Sequence, residues 1–264
     1  MTRTSPTVLA ALLALAASGA AAQTGLELAA AGYGLNLSIG ADYSQGKYGT
    51  PVTSKQWTFP LIAKYEADTW SARVAVPYIW VENPSVSRDG TPLPCAGSPT
   101  APKESAGLGD VVAAGTATMI DNRAAGFLLE LTGKIKFGTG DAAKCLGTGE
   151  NDYAVQIDPA KTFGAYTLFG TVGWRHMGDP PGVDFKNPWY FSAGLSYKLS
   201  GATSFGIVYD FRQRLTASGS PVSEATAFLT QKLGARFKLQ GYVVAGFSDA
   251  SPSWAAGAIA TWAF

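Results

Sequence analysis

Hydrophobic and polar residues alternate along most of this chain with a period of two residues. In the run from Trp57 to Tyr65 every second residue is apolar, and polar residues such as Thr58 and Lys64 lie between them. The alternation recurs in the runs 70–80, 127–137, 166–174, 189–197, 205–211, 237–247 and 254–264, and more weakly in 35–43, 110–120, 152–160 and 224–233. A period of two is typical of a β-strand whose two faces meet different surroundings. The pattern therefore predicts twelve strands of about ten residues each.

The connections between these strands alternate in length. Short ones fall at 67–69, 121–125, 162–165, 200–202 and 234–235, and long ones at 44–54, 82–108, 138–151, 177–187, 213–222 and 248–252. Short periplasmic turns and long external loops are typical of bacterial outer-membrane barrels. A sheet in lipid must also close on itself, because every backbone polar group needs a partner there. We therefore expect an all-β fold, a transmembrane up-and-down antiparallel β-barrel over residues 34–264, with both termini on the periplasmic side.

The first residues have the order of a secretory signal peptide. Arg3 precedes the apolar run Val8 to Ala17, and the small residues Ala20 to Ala22 follow it. This order predicts a signal at residues 1–22 that is cleaved after Ala22. The alternative, an N-terminal membrane anchor, requires a longer apolar core. Residues 23–33 then form a short periplasmic N-terminal segment, too short for a full plug domain.

Aromatic residues cluster at the ends of the predicted strands, on the apolar face. They are Trp57, Tyr65, Trp70, Trp80, Trp174, Trp189, Trp254 and Trp262. Indole and phenol rings favour the membrane interface, because they combine an apolar body with a polar edge. A soluble β-sandwich also alternates and is the competing interpretation. It does not account for the aromatic strand ends, the loop lengths and the secretory signal together.

Composition narrows the function classes. Charged residues make up only 15%, the net charge is +1 and the mean hydropathy is +0.08. These values give no reason to expect a nucleic-acid partner or a bundle of membrane helices. One His and two Cys leave too few ligands for most zinc sites, so we expect no metal. We also expect no cofactor and no catalytic residues.

The two cysteines fall in two of the long loops. Cys95 lies in 82–108 and Cys145 in 138–151, and both loops are expected on the external side. An exported protein meets an oxidising periplasm, so a Cys95–Cys145 disulfide is the preferred interpretation. Two free thiols are the alternative. A disulfide would hold the longest loop over the barrel mouth.

Charged residues of both signs fall on the polar face of the strands, which in a barrel faces the lumen. The pore-lining candidates are Lys64, Arg73, Glu130, Lys134, Arg175, Asp210, Arg212 and Arg236. In one interpretation they pair with one another and hydrate the lumen, and in the other a basic excess attracts anions. The aromatic residues Phe169, Tyr190 and Tyr242 share this inward face.

Several short motifs resemble, in their order, the outer-membrane transporter family named after the MetA pathway of phenol degradation. The motifs are Phe59-Pro60-Leu61 to Tyr65, Trp70 to Pro77-Tyr78, Gly107 to Asp110, Lys136 to Asp141, Leu146 to Gly149, Asp152-Tyr153 and Gly173-Trp174. The resemblance covers most of the residues after the signal. It implies a barrel for the passage of small compounds, aromatic or hydrophobic ones among them. It supplies no catalytic residues.

The last strand ends in Trp262 and Phe264. This pattern resembles the signal that the bacterial barrel-assembly machinery recognises in its clients. The expected partners are therefore that machinery, outer-membrane lipid of a Gram-negative bacterium and a small-molecule solute.

Three functions remain open for such a barrel. The preferred one is an outer-membrane channel or transporter. The first alternative is a closed structural or surface-exposed barrel without transport. The second is a lipid-modifying hydrolase, in which His176 would be the base; a twelve-stranded phospholipase would have Ser at the second residue after it, where this chain has Gly178.

Overall fold

The computed structural model describes residues 34–95 and 101–264, together with two two-residue strands, Leu12–Leu13 and Glu27–Leu28, that pair antiparallel. Apart from these strands, the predicted signal peptide of residues 1–22 and the predicted segment of residues 23–33 lie outside the described residues.

Residues 34–264 form a β-barrel. Its strands are β1 (Gly34–Gly46), β2 (Ser54–Glu66), β3 (Trp70–Glu82), β4 (Glu104–Leu108), β5 (Val111–Asn122), β6 (Phe127–Phe137), β7 (Asp152–Phe163), β8 (Tyr166–His176), β9 (Trp189–Lys198), β10 (Thr203–Arg212), β11 (Val222–Lys232), β12 (Phe237–Gly246) and β13 (Trp254–Ala263). Consecutive strands pair antiparallel, except that β4 and β5 both pair with β3, and β13 pairs with β1, so the sheet is closed.

The strands β4 and β5 are two parts of one wall element. Both pair with β3, β4 through Tyr78–Glu82 and β5 through Trp70–Ala75. The break falls at Gly109 and Asp110, between the two segments. The wall therefore has twelve strand positions, which confirms the predicted antiparallel barrel. The prediction missed β4 because its sequence, ESAGL, contains small residues in place of a clear alternation.

The two ends of the barrel differ in the length of their connections. Turns 67–69, 123–126, 164–165, 199–202 and 233–236 lie at the short-turn end, and loops 47–53, 83–103, 138–151, 177–188, 213–221 and 247–253 at the long-loop end. No helix among residues 34–95 and 101–264 is long and apolar enough to span a bilayer.

The outward-facing side chains are apolar and exposed over the whole height of the wall. Ile39, Leu61 and Val243 are examples, and Ile207 near the middle of β10 is 61% exposed. Aromatic rings contact one another near both ends. Tyr43 lies between Trp57 and Trp254 at the long-loop end, and a second belt of Phe163, Tyr166, Tyr197, Phe205, Phe237 and Trp262 lies at the short-turn end. An uninterrupted apolar surface of this extent is rare on proteins surrounded by water.

The inward-facing residues are mostly polar and buried. One apolar cluster interrupts them, formed by Leu128, Ala160, Phe169, Val208, Phe228, Tyr242, Val244, Ala255 and Ile259. The barrel is therefore apolar on its outer face and carries both polar and apolar residues on its inner face. A water-soluble protein has the opposite arrangement, with an apolar core and a polar surface.

Candidate functional site

The loop between β3 and β4 folds into the barrel mouth. We call its residues 83–95 the inward loop. Arg88 is 4% exposed and Asp89 is 8% exposed, although both belong to a connection and not to the wall. Their partners are inward-facing side chains of four other strands, so the loop crosses the mouth instead of extending away from it.

A tight turn at the tip of the inward loop presents these two side chains. The Asp89 carboxylate accepts hydrogen bonds from the Ser87 hydroxyl and, at 3.0 Å, from the Thr91 amide. The Ser87 amide donates to the Thr91 carbonyl at 2.8 Å. Such carboxylate-to-backbone bonds replace the ladder bonds that a strand would supply.

Arg88 points to an acidic part of the wall. Its Nε lies 3.3 Å from Asp42 Oδ1 on β1, and its Nη1 lies 3.5 Å from Glu224 Oε2 on β11. Burial alone would lower the pKa of Arg88, but Glu224 and Asp42 outweigh it and raise that pKa above its usual value. Arg88 is therefore fully charged in the mouth.

Asp89 points to a basic part of the wall. Its Oδ2 lies 2.9 Å from Arg175 Nη1 on β8 and 3.7 Å from Arg212 Nη1 on β10. Burial alone would raise the pKa of Asp89, but the two guanidinium groups outweigh it and lower that pKa below its usual value. Arg175 is itself held by Asp152 on β7, at 2.5 Å.

The tip of the inward loop touches the opposite wall. Gly90 has φ +68°, and a Cβ built on it would lie 2.2 Å from the Ala250 carbonyl oxygen and 2.9 Å from Val222 Cγ2. Ala250 lies in the loop between β12 and β13, across the mouth from β3 and β4. The inward loop therefore spans the opening.

The base of the inward loop is fixed by a disulfide. Cys95 is bonded to Cys145, as the sequence predicted, and their Cα atoms are 5.7 Å apart. Cys145 follows a short 3₁₀ turn, Ala142–Lys144, in which the Ala143 and Lys144 amides donate to the Asp141 carboxylate. This capped turn sets the position of the Cys145 thiol.

Asp110, at the break between β4 and β5, joins the loop 138–151, which contains Cys145, to the wall. Its carboxylate accepts from the Gly140 amide and the Lys136 ammonium group, each at 2.9 Å. Lys136 also donates to Thr148 Oγ1 at 2.8 Å and lies 3.2 Å from Asp152. The motifs around Asp110 and Gly140 that carry the family resemblance thus form one structural unit.

Two cavities of different character lie at the ends of the barrel. One of about 70 Å³ lies under the inward loop, and its lining includes Arg88, Asp89, Asp110, Lys136, Arg175 and the apolar Pro77, Ile79, Leu93 and Leu146. It has room for a few water molecules. A second cavity of about 40 Å³ lies at the short-turn end, lined by residues that include Asn36, Glu66 and Arg236.

Four inward-facing aromatic rings lie flat against the wall. Each stands directly opposite an inward-facing glycine of the adjacent strand: Phe169 opposite Gly194, Tyr190 opposite Gly173, Phe228 opposite Gly206 and Tyr242 opposite Gly257. A Cβ at any of these glycines would come within 2.3 to 2.5 Å of the paired aromatic side chain. Only glycine lets a ring approach the backbone so closely. The rings therefore pack closely against the wall, and all four side chains are buried.

Seven of the eight sequence-predicted pore residues lie on strands and face inward. Lys64, Arg73, Glu130, Arg175, Asp210 and Arg212 are buried, and Lys134 is partly buried with its ammonium group 5.9 Å from the Tyr190 ring centroid. Arg236 differs, because it lies exposed in turn 233–236 at the short-turn end. Arg175 and Arg212 are brought together with the inward loop, through Asp89.

Sequence reasoning missed Arg88 and Asp89. The alternation of apolar and polar residues assigns a face only to strand residues, so it could not predict whether these loop residues point into the barrel. A signal was present, since Arg-Asp-Gly in an otherwise uncharged stretch is an unusual tip for a long loop. The triplet combines two opposite charges with a residue that tolerates positive φ.

The contacts of His176 are those of a residue with a structural role. It is exposed, its Nδ1 lies 3.1 Å from Asn187 Oδ1, and its ring stacks between Tyr153 and Trp174. Within the part of the chain that the structure describes, no group of three or more His, Cys, Asp or Glu residues is placed to hold a metal ion.

The fold and the inward loop define the class of protein. It is a closed antiparallel β-barrel with twelve strand positions, and its architecture is that of solved outer-membrane channels. A model of the family described as "Protein of unknown function (DUF3187)" matches residues 103–248, and the chain belongs to that family. No curated protein matches the sequence.

Three solved structures illustrate the fold. The COG4313 outer membrane channel from Pseudomonas putida F1 has a TM-score of 0.68 and 14% identity, over 89% of this chain and 97% of that one. The NanC porin has a TM-score of 0.57 and 8% identity, over 86% and 99%. The CymD monoaromatic hydrocarbon channel has a TM-score of 0.50 and 10% identity, over 89% of each chain. Identities this low establish a shared fold and no more.

Proposed function

We propose that this protein is an outer-membrane channel of a Gram-negative bacterium that passes small solutes, aromatic or hydrophobic ones among them. The apolar outer surface and its two aromatic belts support the membrane location, because lipid is the surrounding that such a surface requires. The fold shared with outer-membrane channels supports the same class.

The observation that carries the proposed solute class is the set of rings lying flat on glycines. Phe169, Tyr190, Phe228 and Tyr242 give the inner wall an apolar, π-electron character, and all four side chains are buried in this structure. Aromatic solutes stack on such surfaces in offset or edge-to-face geometry. The resemblance to the MetA-pathway transporters and the CymD channel, described as one for monoaromatic hydrocarbons, agrees with this class.

Conductance in planar bilayers tests the proposal. We expect the protein to produce ionic current, and we expect 4-hydroxybenzyl alcohol to block that current at concentrations where glucose does not. Gly173→Ala should weaken the block, because its Cβ would lie 2.3 Å from Tyr190 Cζ and displace the ring from the wall. Gly133→Ala is the matched control, since it faces outward and nothing lies within 4 Å of its Cβ. Equal block by both solutes, in the wild type and both variants, would contradict the aromatic class.

A closed barrel without transport is the second candidate, and the inward loop is the observation that favours it. In that case the protein gives no current above background, even after the contacts of Arg88 and Asp89 with the wall are removed. If the wild type gives no current and variants without the Arg88 and Asp89 contacts do, the protein is a channel that the inward loop closes.

Assembly of the barrel is proposed to depend on Trp262 and Phe264, as in clients of the barrel-assembly machinery. Both lie at the seam of the barrel, where Trp262 is opposite Leu37 and the Phe264 amide donates to the Leu35 carbonyl. Their rings face outward and are exposed, so the machinery could contact them before the seam closes.

A further inference from the structure

The inward loop is held by two wall surfaces of opposite charge. The acidic surface consists of Asp42 and Glu224, which contact Arg88. The basic surface consists of Arg175 and Arg212, which contact Asp89. Two adjacent loop residues thus occupy the mouth as one cation and one anion, each on its complementary surface.

Arg88 fits its surface loosely. Its closest contacts, 3.3 and 3.5 Å, are longer than the roughly 2.7–2.9 Å of a strong charge-assisted hydrogen bond. Glu224 is buried, yet its Oε1 has no hydrogen-bond partner among the described residues. A buried carboxylate oxygen without a donor is a loss of free energy that a better-placed cation would recover. The acidic surface is therefore not saturated by Arg88.

Displacement of the inward loop would take Arg88 from the acidic surface and Asp89 from the basic surface, while Asp42 would keep the Tyr242 hydroxyl and Arg175 would keep Asp152. Each surface would then lack the opposite charge that the loop supplies, and a wall of low dielectric strengthens its attraction for a replacement. A single ion satisfies one surface and is repelled by the other. A molecule with a cation at one end and an anion at the other satisfies both, as Arg88 and Asp89 do together.

We propose that these two surfaces form a binding site for a small zwitterionic solute, one with a guanidinium or ammonium group at one end and a carboxylate at the other, and that Arg88 and Asp89 occupy this site when the solute is absent. The proposal rests on the proposed channel function, because the site lies in the mouth through which a solute enters. The cavity of about 70 Å³ beside Arg88 and Asp89 gives the solute a place from which to compete with them.

Single substitutions in the inward loop give reciprocal expectations. Arg88→Ala frees only the acidic surface, so this variant should bind butylguanidinium and not butyrate. Asp89→Ala frees only the basic surface, so it should bind butyrate and not butylguanidinium. Isothermal titration calorimetry on the detergent-solubilised protein measures these affinities without reference to conductance. Selectivity that is the same in both variants overturns the proposal.

The double variant Arg88→Ala/Asp89→Ala should bind 4-guanidinobutyrate at least about ten-fold more tightly than the wild type does, which corresponds to about 1.4 kcal/mol. It should also prefer this probe to butyrate and to butylguanidinium. The matched control is Asp121→Ala/Arg123→Ala, which removes an exposed Arg–Asp pair at the short-turn end and should leave binding unchanged. A double variant that binds the three probes equally overturns the proposal.

The wild type offers a measurement that does not depend on the folding of a variant. 4-Guanidinobutyrate should speed hydrogen exchange of the Thr91 amide, which donates to Asp89, while butyrate and butylguanidinium at equal concentration should not. No change with any probe overturns the proposal. Selective binding without current in bilayers would support the site and refute the channel, whereas current without selective binding would do the reverse.

Discussion

At the scale of single residues, the position of the inward loop depends on a few side chains with several partners each. Asp89 joins the loop's own turn, through Ser87 and Thr91, to Arg175 and Arg212 on the wall. Removing one charge from such a buried network takes an ion-pair partner from the others, so we expect single changes there to have large effects.

The first prediction concerns the pH dependence of this contact. The pKa of Asp89 lies below its ordinary 3.8, because Arg175 and Arg212 outweigh the effect of burial. A carboxyl group with a lowered pKa in the folded protein contributes its full stabilisation above the unfolded value and loses it as pH falls through the folded value. We expect hydrogen-exchange protection of the Thr91 amide, corrected for intrinsic rates, to stay constant from neutral pH down to about 4 and to fall only in stronger acid. Asp89→Ala, which has no acceptor for the Thr91 amide, should lose that protection at every pH. Protection that falls between pH 7 and 5 would contradict this assignment.

The second prediction concerns Gly90. Gly90→Ala must place a Cβ against the Ala250 carbonyl oxygen, so we expect the loop tip to leave the opposite wall and the single-channel conductance to rise. The substitution also forces Ala into a left-handed conformation, which costs about 1–2 kcal/mol. Gly182→Ala separates the two effects, because Gly182 has φ +79° but nothing within 4 Å of its Cβ. An equal change in conductance in both variants would show that strain, and not the collision, is responsible.

At the scale of elements, two neighbouring loops at the long-loop end act as one unit. The loop 138–151 holds the break between β4 and β5 through Asp110, and it holds the inward loop through Cys145. The inward loop is therefore fixed at its base by a covalent bond and at its tip by ion pairs. The base restricts how far the tip can move when the ion pairs break.

The third prediction follows from this arrangement. Reduction of the Cys95–Cys145 bond should increase hydrogen exchange in the inward loop and broaden the distribution of conductance states. The bond joins residues 50 positions apart, for which the chain-entropy model gives about 4 kcal/mol. The variant Cys95→Ser/Cys145→Ser should behave like the reduced wild type and should not respond to reductant. A response to reductant in that variant would point to a cause other than this disulfide.

At the scale of the whole molecule, the two faces of the wall differ in polarity along every strand. The outward face is apolar from one aromatic belt to the other, while the inward face carries the charges and the ring–glycine pairs. This distribution stabilises the barrel in a bilayer because the outer surface is buried there in lipid.

The fourth prediction tests that environment. Ile207→Arg places a charge near the middle of the outward face, and we expect it to lower the free energy of unfolding from lipid vesicles by about 2–4 kcal/mol. Leu199→Arg lies at the short-turn end, equally exposed, and should cost about 0–1 kcal/mol. Urea titrations in vesicles measure both. Equal and small effects would indicate that the outward face meets water.

The barrel can be predicted from the amino-acid sequence alone. Alternation with a period of two sets which side chains share a face, and loop length sets the direction of each connection, so strand positions and faces follow from local pattern alone. Lys64, Arg175, Phe169 and Tyr242 were placed on the inward face for this reason. The Cys95–Cys145 bond was predictable too, because the topology brings those loops together.

What occupies the mouth depends on contacts that form only when the barrel closes. The inward loop has no periodicity, and its position depends on Asp42, Arg175, Arg212 and Glu224, which are far apart in sequence and meet only when the sheet closes. The fit of each ring onto a glycine likewise depends on the register between strands, which alternation leaves free by steps of two residues. The alternation of apolar and polar residues is local in sequence and predicts the strands of the wall, whereas contacts across the lumen exist only once the barrel has closed.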